Sequence, residues 1–99
     1  MYAAILRLRF PAANRDAVIH FLHHDMAPII RDNPGFRAFQ VLDDGTPNEL
    51  TMIDTWDSRE DSVAAIQQPS AIAIHARYAE LNLEVATATR YTVLTHTTN

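Results

Sequence analysis

The chain contains no cysteine and no lysine, and only two glycines, Gly35 and Gly45. Without cysteine there can be no disulfide, thiolate zinc site, iron–sulfur cluster or cysteine nucleophile. Without lysine there is no Schiff base on the protein. Two isolated glycines make neither of the phosphate-cradling glycine motifs. The eight basic residues are all arginines dispersed along the chain, and the net charge is −4. A nucleic-acid partner requires a clustered basic face, which sets that class aside. No apolar run approaches a membrane span. The opening Met1–Phe10 carries Arg7 and Arg9 inside its apolar stretch and no cleavage-like pattern, so it reads as a strand and not as a leader peptide. These absences lead us to expect a soluble cytoplasmic protein with no nucleic-acid or membrane partner.

What is present fits a compact globule. The chain has 99 residues, 47% of them hydrophobic, enough for one domain over 1–99 that buries roughly two thirds of its unfolded surface. Thr95–Asn99 reads as a flexible tail. The organising stretch is Leu50–Tyr78. Leu50, Met52, Asp54 and Trp56 alternate with Thr51, Ile53 and Thr55, the period of a half-buried strand. Asp57 and Ser58 then open two overlapping capping boxes, with Glu60 and Asp61. The strand therefore hands the only tryptophan to a helix start, where its ring can floor a small cavity.

Around this stretch the remaining elements follow in order. Tyr2–Phe10 alternates as a first strand. Asn14 is a candidate cap for a helix to about Asp32, with Val18, Phe21, Leu22 and Ile29 on one stripe at about 100° per residue. Pro28 has no amide proton and clashes with the carbonyl of His24, so a kink or restart is expected there. Asn33-Pro34-Gly35 suits a type II turn. Phe36–Leu42 and Glu49–Trp56 form a hairpin across the Asp43–Asn48 loop. A helix over Ser58–Gln67 precedes Pro69, where Ser70 can cap another, with Ala71, Ile74, Tyr78 and Leu81 as its buried stripe. Val85–Leu94 is a last, threonine-rich strand. The order β-α-β-β-α-β is that of an α+β, ferredoxin-like sandwich with a four-stranded antiparallel sheet and helices on one face. The other face, carrying Ile5 and Ile53, is left without cover, and a homodimer that buries it is expected.

Three segments in this order, P-x5-P-G-F (Pro28–Phe36), D-T-W-D-S (Asp54–Ser58) and Q-P-S (Gln68–Ser70), resemble the antibiotic biosynthesis monooxygenase family. The resemblance implies a dimeric α/β barrel with a pocket in each subunit between sheet and helices. Some members oxidise quinols or polyketide-like phenols with dioxygen and no metal or flavin. The acid-x-Trp pattern of the family falls on Asp54 and Trp56. Two frequent family histidines are replaced here by Ala65 and Ser70. His75 stands where haem-degrading members hold haem. Those members also need a tryptophan at the position of Ala65 and an asparagine on the first strand, and this chain has neither.

The candidate residues each admit two readings. Asp25, a carboxylate on an apolar stripe, either caps backbone freed by Pro28 or acts as a general base. Trp56 is a core residue or a stacking platform. Asp54 pairs with Arg7 or Arg90, or binds substrate. His75, on the flank of its helix, is a surface residue or points into the pocket, and Tyr78 packs or orients a substrate oxygen. Of Arg90 and Tyr91, on opposite strand faces, at most one faces the helices. His20, His23 and His24 project to the solvated side with no third zinc ligand in sight, so no metal site is expected. The expectation is a pocket lined by Trp56, Met52, Asp54 and Arg90, with His75, Asp25 and Tyr78 as catalytic candidates. It would take a small aromatic ligand for cofactor-independent monooxygenation. The alternatives are a ligand-binding or interaction protein without chemistry, and an isomerase or cyclase on the same barrel.

Overall fold

The two most strongly alternating stretches become the two central strands of the sheet. In a computed structural model that describes residues 1–99, β1 (Tyr2–Arg9) and β3 (Glu49–Trp56) pair antiparallel, with Tyr2 opposite Trp56 and Ile5 opposite Ile53. β2 (Phe36–Leu42) flanks β3 and β4 (Glu84–Thr92) flanks β1, giving the order β2-β3-β1-β4 with every neighbour antiparallel. The α+β ferredoxin-like sandwich is therefore the fold. Helices lie on one face only. α1 (Arg15–His20) and α2 (Ala27–Arg31) belong to one helical run, and α3 (Arg59–Ile66) and α4 (Pro69–Ala76) to the other. A 3-10 turn over Arg77–Leu81 leads into β4. None of these helices is long and apolar enough to cross a membrane.

Strand alternation decides which side chains meet the helices. Leu8, Leu50 and Met52 from the sheet pack against Val18, Phe21, Leu22, Met26 and Ile74 from the helices, all buried. Burying each such side chain contributes about 1.5–3 kcal/mol. The opposite sheet face carries Ala3, Ile5 and Arg7 on β1 and Thr51, Ile53 and Thr55 on β3, with no helix over it.

Two expected caps fail, and the junction at Pro28 takes a particular form, each for an identifiable reason. Asn14 makes no side-chain cap; its amide instead donates to the Leu81 carbonyl at 2.8 Å, joining the two helical runs. Ser70 does not cap α4, which starts one residue earlier at Pro69, a residue whose fixed φ and missing amide proton suit a first helical position. Next to Pro28 an α-helix restarts, with α2 beginning at Ala27 directly after an irregular turn. The backbone stays right-handed helical, but Phe21–Met26 widens to a π-helix, with the Ala27 amide donating to the Leu22 carbonyl. A π turn before the proline absorbs the bond that its ring forbids.

Other signals hold. Of the two overlapping boxes, Ser58 is the cap: its hydroxyl accepts from the Asp61 amide at 3.2 Å. The Phe36 amide donates to the Asn33 carbonyl at 3.3 Å, and Gly35 has φ +78°, as the second central residue of a type II turn requires. Glycine is needed there twice over, since a Cβ would also collide with the Asp61 carboxyl group. Gly35→Ala is expected to lower the unfolding free energy by about 1–3 kcal/mol or more, read from urea denaturation, whereas Gly45→Ala, with open space around it, loses only the left-handed preference.

Candidate functional site

Side-chain size along one row of the sheet opens a cavity. In register, Phe39, Asp54, Ala4 and Arg90 form a line across all four strands. Ala4 is the small member, and the space above it, between the sheet and the helices, is a cavity of about 230 Å³. Its floor is Ala4, Leu6, Met52, Asp54 and Trp56; Met26, Ile29 and Ile30 close one side, and Ser62, Ala65, Ile74 and His75 the other. Met26 is the last residue of the π turn.

Trp56 is 2% exposed, with its ring edge-on to Phe36 at 5.8 Å. It is a core residue that also lines the cavity. Its indole N–H donates to Asp54 Oδ2 at 2.6 Å, a contact available because residues two apart on a strand share a face. Asp54 has no salt bridge. Arg7 turns to the other face and pairs with Glu49 at 3.8 Å, and Arg90 acts on Asp54 only through its field. Burial in an apolar cavity pushes the Asp54 carboxyl above the ordinary carboxylate range, opposed by the indole hydrogen bond and by Arg90.

The other candidates divide between cavity and periphery. Met52, His75 and Arg90 line the cavity. Of the Arg90–Tyr91 pair, Arg90 takes the helix side, level with Ala4, and Tyr91 the open side, level with Ala3. Asp25 does not line the cavity: its carboxylate pairs with Arg77 at 3.1 Å, while the Arg77 guanidinium stacks on Phe21. Its place on the stripe is thus explained by an ion pair between the two helical runs, not by capping around Pro28. Tyr78 sits behind His75, ring centroids 5.0 Å apart, and its hydroxyl faces the Met26 sulfur at 4.0 Å. Burial, with the Asp54 charge adding, pushes that hydroxyl up to about 12. Tyr78 therefore stays protonated and supports the wall without reaching the cavity. His20, His23 and His24 are exposed, and no cluster of three potential metal-ligating side chains occurs.

Two contributors escaped the sequence. Asn33 lines the cavity while its amide group donates to the Ile29 and Ile30 carbonyls, closing the end of α2. Its place immediately before Pro34 was the available signal. The second is the basic role open to Asp54, whose burial depends on packing from α2 and α4.

The sequence profile of the antibiotic biosynthesis monooxygenase family matches residues 1–77, from β1 through α4. The chain belongs to the antibiotic biosynthesis monooxygenase family. No curated protein matches it in sequence. Among solved structures, a candidate antibiotic biosynthesis monooxygenase from Deinococcus radiodurans superposes with a TM-score of 0.85 at 18% identity, covering 100% of this chain and 98% of that one. HapK from Hahella chejuensis gives 0.84 at 16% identity over 100% and 98% of the two chains. SnoaB, a cofactor-independent oxygenase from Streptomyces nogalater, gives 0.77 at 16% over 96% and 94%. At these identities the likeness establishes the family's fold, not a shared substrate. Within that fold, the matched stretch contains Asp54, Trp56 and His75, while Arg90 lies beyond it.

The raised Asp54 carboxyl fixes a sign for stability. A group held protonated longer in the folded state contributes stability below its unfolded value of 3.8, and that contribution is lost as pH rises through the higher folded pKa. Asp54→Asn keeps an acceptor for the indole and cannot ionise. Thermal melts of variant and wild type are expected to converge near pH 3, and the variant is expected to gain over wild type as pH approaches about 7.

Proposed function

We propose that the protein is a cofactor-independent monooxygenase acting on a planar hydroxyarene, with Asp54 as general base. The observation that carries this reading is a carboxylate with no salt bridge, at the floor of a mostly apolar cavity, held by the neighbouring indole N–H. A base matched to a phenolic proton needs a pKa above that of a free carboxylate, and burial moves Asp54 in that direction. Membership of the family and the fold shared with SnoaB support the reaction class.

The chemistry balances without a cofactor. Asp54 takes the hydroxyl proton, and the electron-rich anion gives electrons to dioxygen, forming a C–O bond at a ring carbon that bears hydrogen. Loss of that hydrogen as a proton, with cleavage of the O–O bond, leaves one oxygen as a quinone carbonyl and the other as water. The substrate supplies all the electrons. Trp56 stacks or edges the ring, Met26, Met52 and Ile74 keep water from the anion, and His75 at the cavity wall returns a proton to the departing oxygen. Tyr78 backs His75, and Asp25 has no part in the step.

Ala65 at the cavity wall and the exposed Ser70 stand where many members have histidine, and this favours, as the second reading, a binding protein without turnover. Oxygen uptake with a panel of one- and two-ring phenols and naphthols, without added metal or flavin, separates the two: binding without uptake supports the second. On the first reading, Asp54→Asn lowers kcat by about 10²–10⁴-fold with KM little changed. Trp56→Phe removes the indole donor that lowers the Asp54 pKa, and so moves the acidic, rising limb of kcat/KM to higher pH.

The proposed functional unit is a homodimer formed through the uncovered sheet face, where Ile5 and Ile53 face each other across β1 and β3. Two such faces closing on each other would make a barrel and remove an apolar patch from water. Light scattering should give twice the 11.1 kDa chain mass for wild type and a single chain mass for an Ile5→Asp, Ile53→Asp double variant. A wild-type monomer would refute it.

A further inference from the structure

The cavity has one cation, and that cation has no partner. Five of the eight arginines, Arg7, Arg9, Arg15, Arg37 and Arg77, pair with carboxylates. Of the three that do not, Arg31, Arg59 and Arg90, only Arg90 lines the cavity. An exposed guanidinium needs no protein partner, but the position of this one is specific. Arg90 stands in the same transverse row as Asp54, with only Ala4 between them. Two strand spacings put the backbones of Asp54 and Arg90 roughly 10 Å apart; their side chains form no salt bridge, and Arg90 acts on Asp54 only through its field, which leaves room for a bridging molecule. β4 is an edge strand, and Ala88, Arg90 and Thr92 on its helix side are all exposed, so the cavity opens toward Arg90.

Size limits what can bridge. A dry cavity of about 150 Å³ holds benzene; 230 Å³ accommodates one ring or two fused rings, not three. Polarity sets the ends: an acceptor for a hydroxyl proton at Asp54, and at Arg90 a planar fork of donors suited to a carboxylate. We infer that the ligand is a hydroxyarene carboxylate of one or two rings, with its hydroxyl on Asp54 and its carboxylate on Arg90. This rests on the reading of the cavity as the aromatic site. Arg90 lies outside the stretch that the family profile matches, so its role rests on its place beside the cavity and not on the family match.

Calorimetric titration of the full chain tests this without requiring turnover. The probes are 3-hydroxy-2-naphthoate, 2-naphthol and the three-ring 3-hydroxyanthracene-2-carboxylate. A charge-assisted bidentate contact should make the naphthoate bind at least about tenfold tighter than the naphthol, and the three-ring acid about tenfold weaker than the naphthoate. Arg90→Gln should reduce the ratio of naphthoate to naphthol affinity to about one, with an unchanged thermal melt showing that the variant is folded; Arg90→Lys should restore part of the ratio. Equal binding of naphthoate and naphthol overturns the inference and leaves the aromatic site standing. So does an advantage that survives Arg90→Gln, or a three-ring acid that binds as tightly as the two-ring one. No binding of any probe refutes the inference and the aromatic site together.

Discussion

The hydrogen bond from the Trp56 indole to the Asp54 carboxylate is the contact on which the site depends. It joins two residues that share a strand face, so it requires no long-range folding to bring them together, only the correct rotamers. What holds those rotamers is long-range. Phe36 lies edge-on against the ring, the Asp57 amide donates to the Gly35 carbonyl at 2.8 Å, and Ser58 starts α3 immediately afterwards. The indole thus sits where strand, turn and helix meet, and a buried carboxylate that would otherwise lack a donor receives one. A charge-assisted bond of this kind partly offsets the desolvation of Asp54 without abolishing it. That balance leaves the carboxyl raised.

The helical cover is built to leave room rather than to fill it. The π turn at Phe21–Met26 leads into α2 and Pro28, and its last residue, Met26, lines the cavity. π segments inside α-helices frequently occur at functional sites. Here the widened turn lets one helical run serve two demands, burying Phe21 and Leu22 in the core and presenting a methionine to the cavity. Across from it, the chain break at Pro69 lets α3 and α4 meet the cavity at different angles, so Ala65 and His75 both reach its wall.

Much of this was legible in residue order. Period-two alternation in Tyr2–Phe10 and Glu49–Trp56 marked the central strands because a sheet with one covered face must alternate. Gly35 after Pro34 fixed the turn, and the Ser58 cap fixed the start of α3. The Asp54–Trp56 pair was visible as a motif, but its state was not: a carboxylate's pKa depends on what packs over it, and that cover comes from α2 and α4, some 20 residues away on either side. Asp25 misled for the complementary reason. A carboxylate on an apolar stripe looks purposeful until its partner appears, and that partner, Arg77, arrives from the other helical run. Asn14 and Ser70 have the composition of caps, yet tertiary contact claimed the first and Pro69 took the place of the second. Arg90 could be placed only to one of two faces, since a bulge shifts the β1–β4 register between Arg7 and Leu8 and strand phase cannot be counted through it from sequence.

The bare helix-side face of β4 has a consequence for traffic. A molecule can reach Asp54 by sliding over the sheet's rim past Arg90, with no hinge to swing and no domain to part. By the same geometry, nothing in the chain shuts behind it. A hydroxyarene bound as proposed would act as its own stopper, its outward end plugging the doorway while the inward ring stays dry.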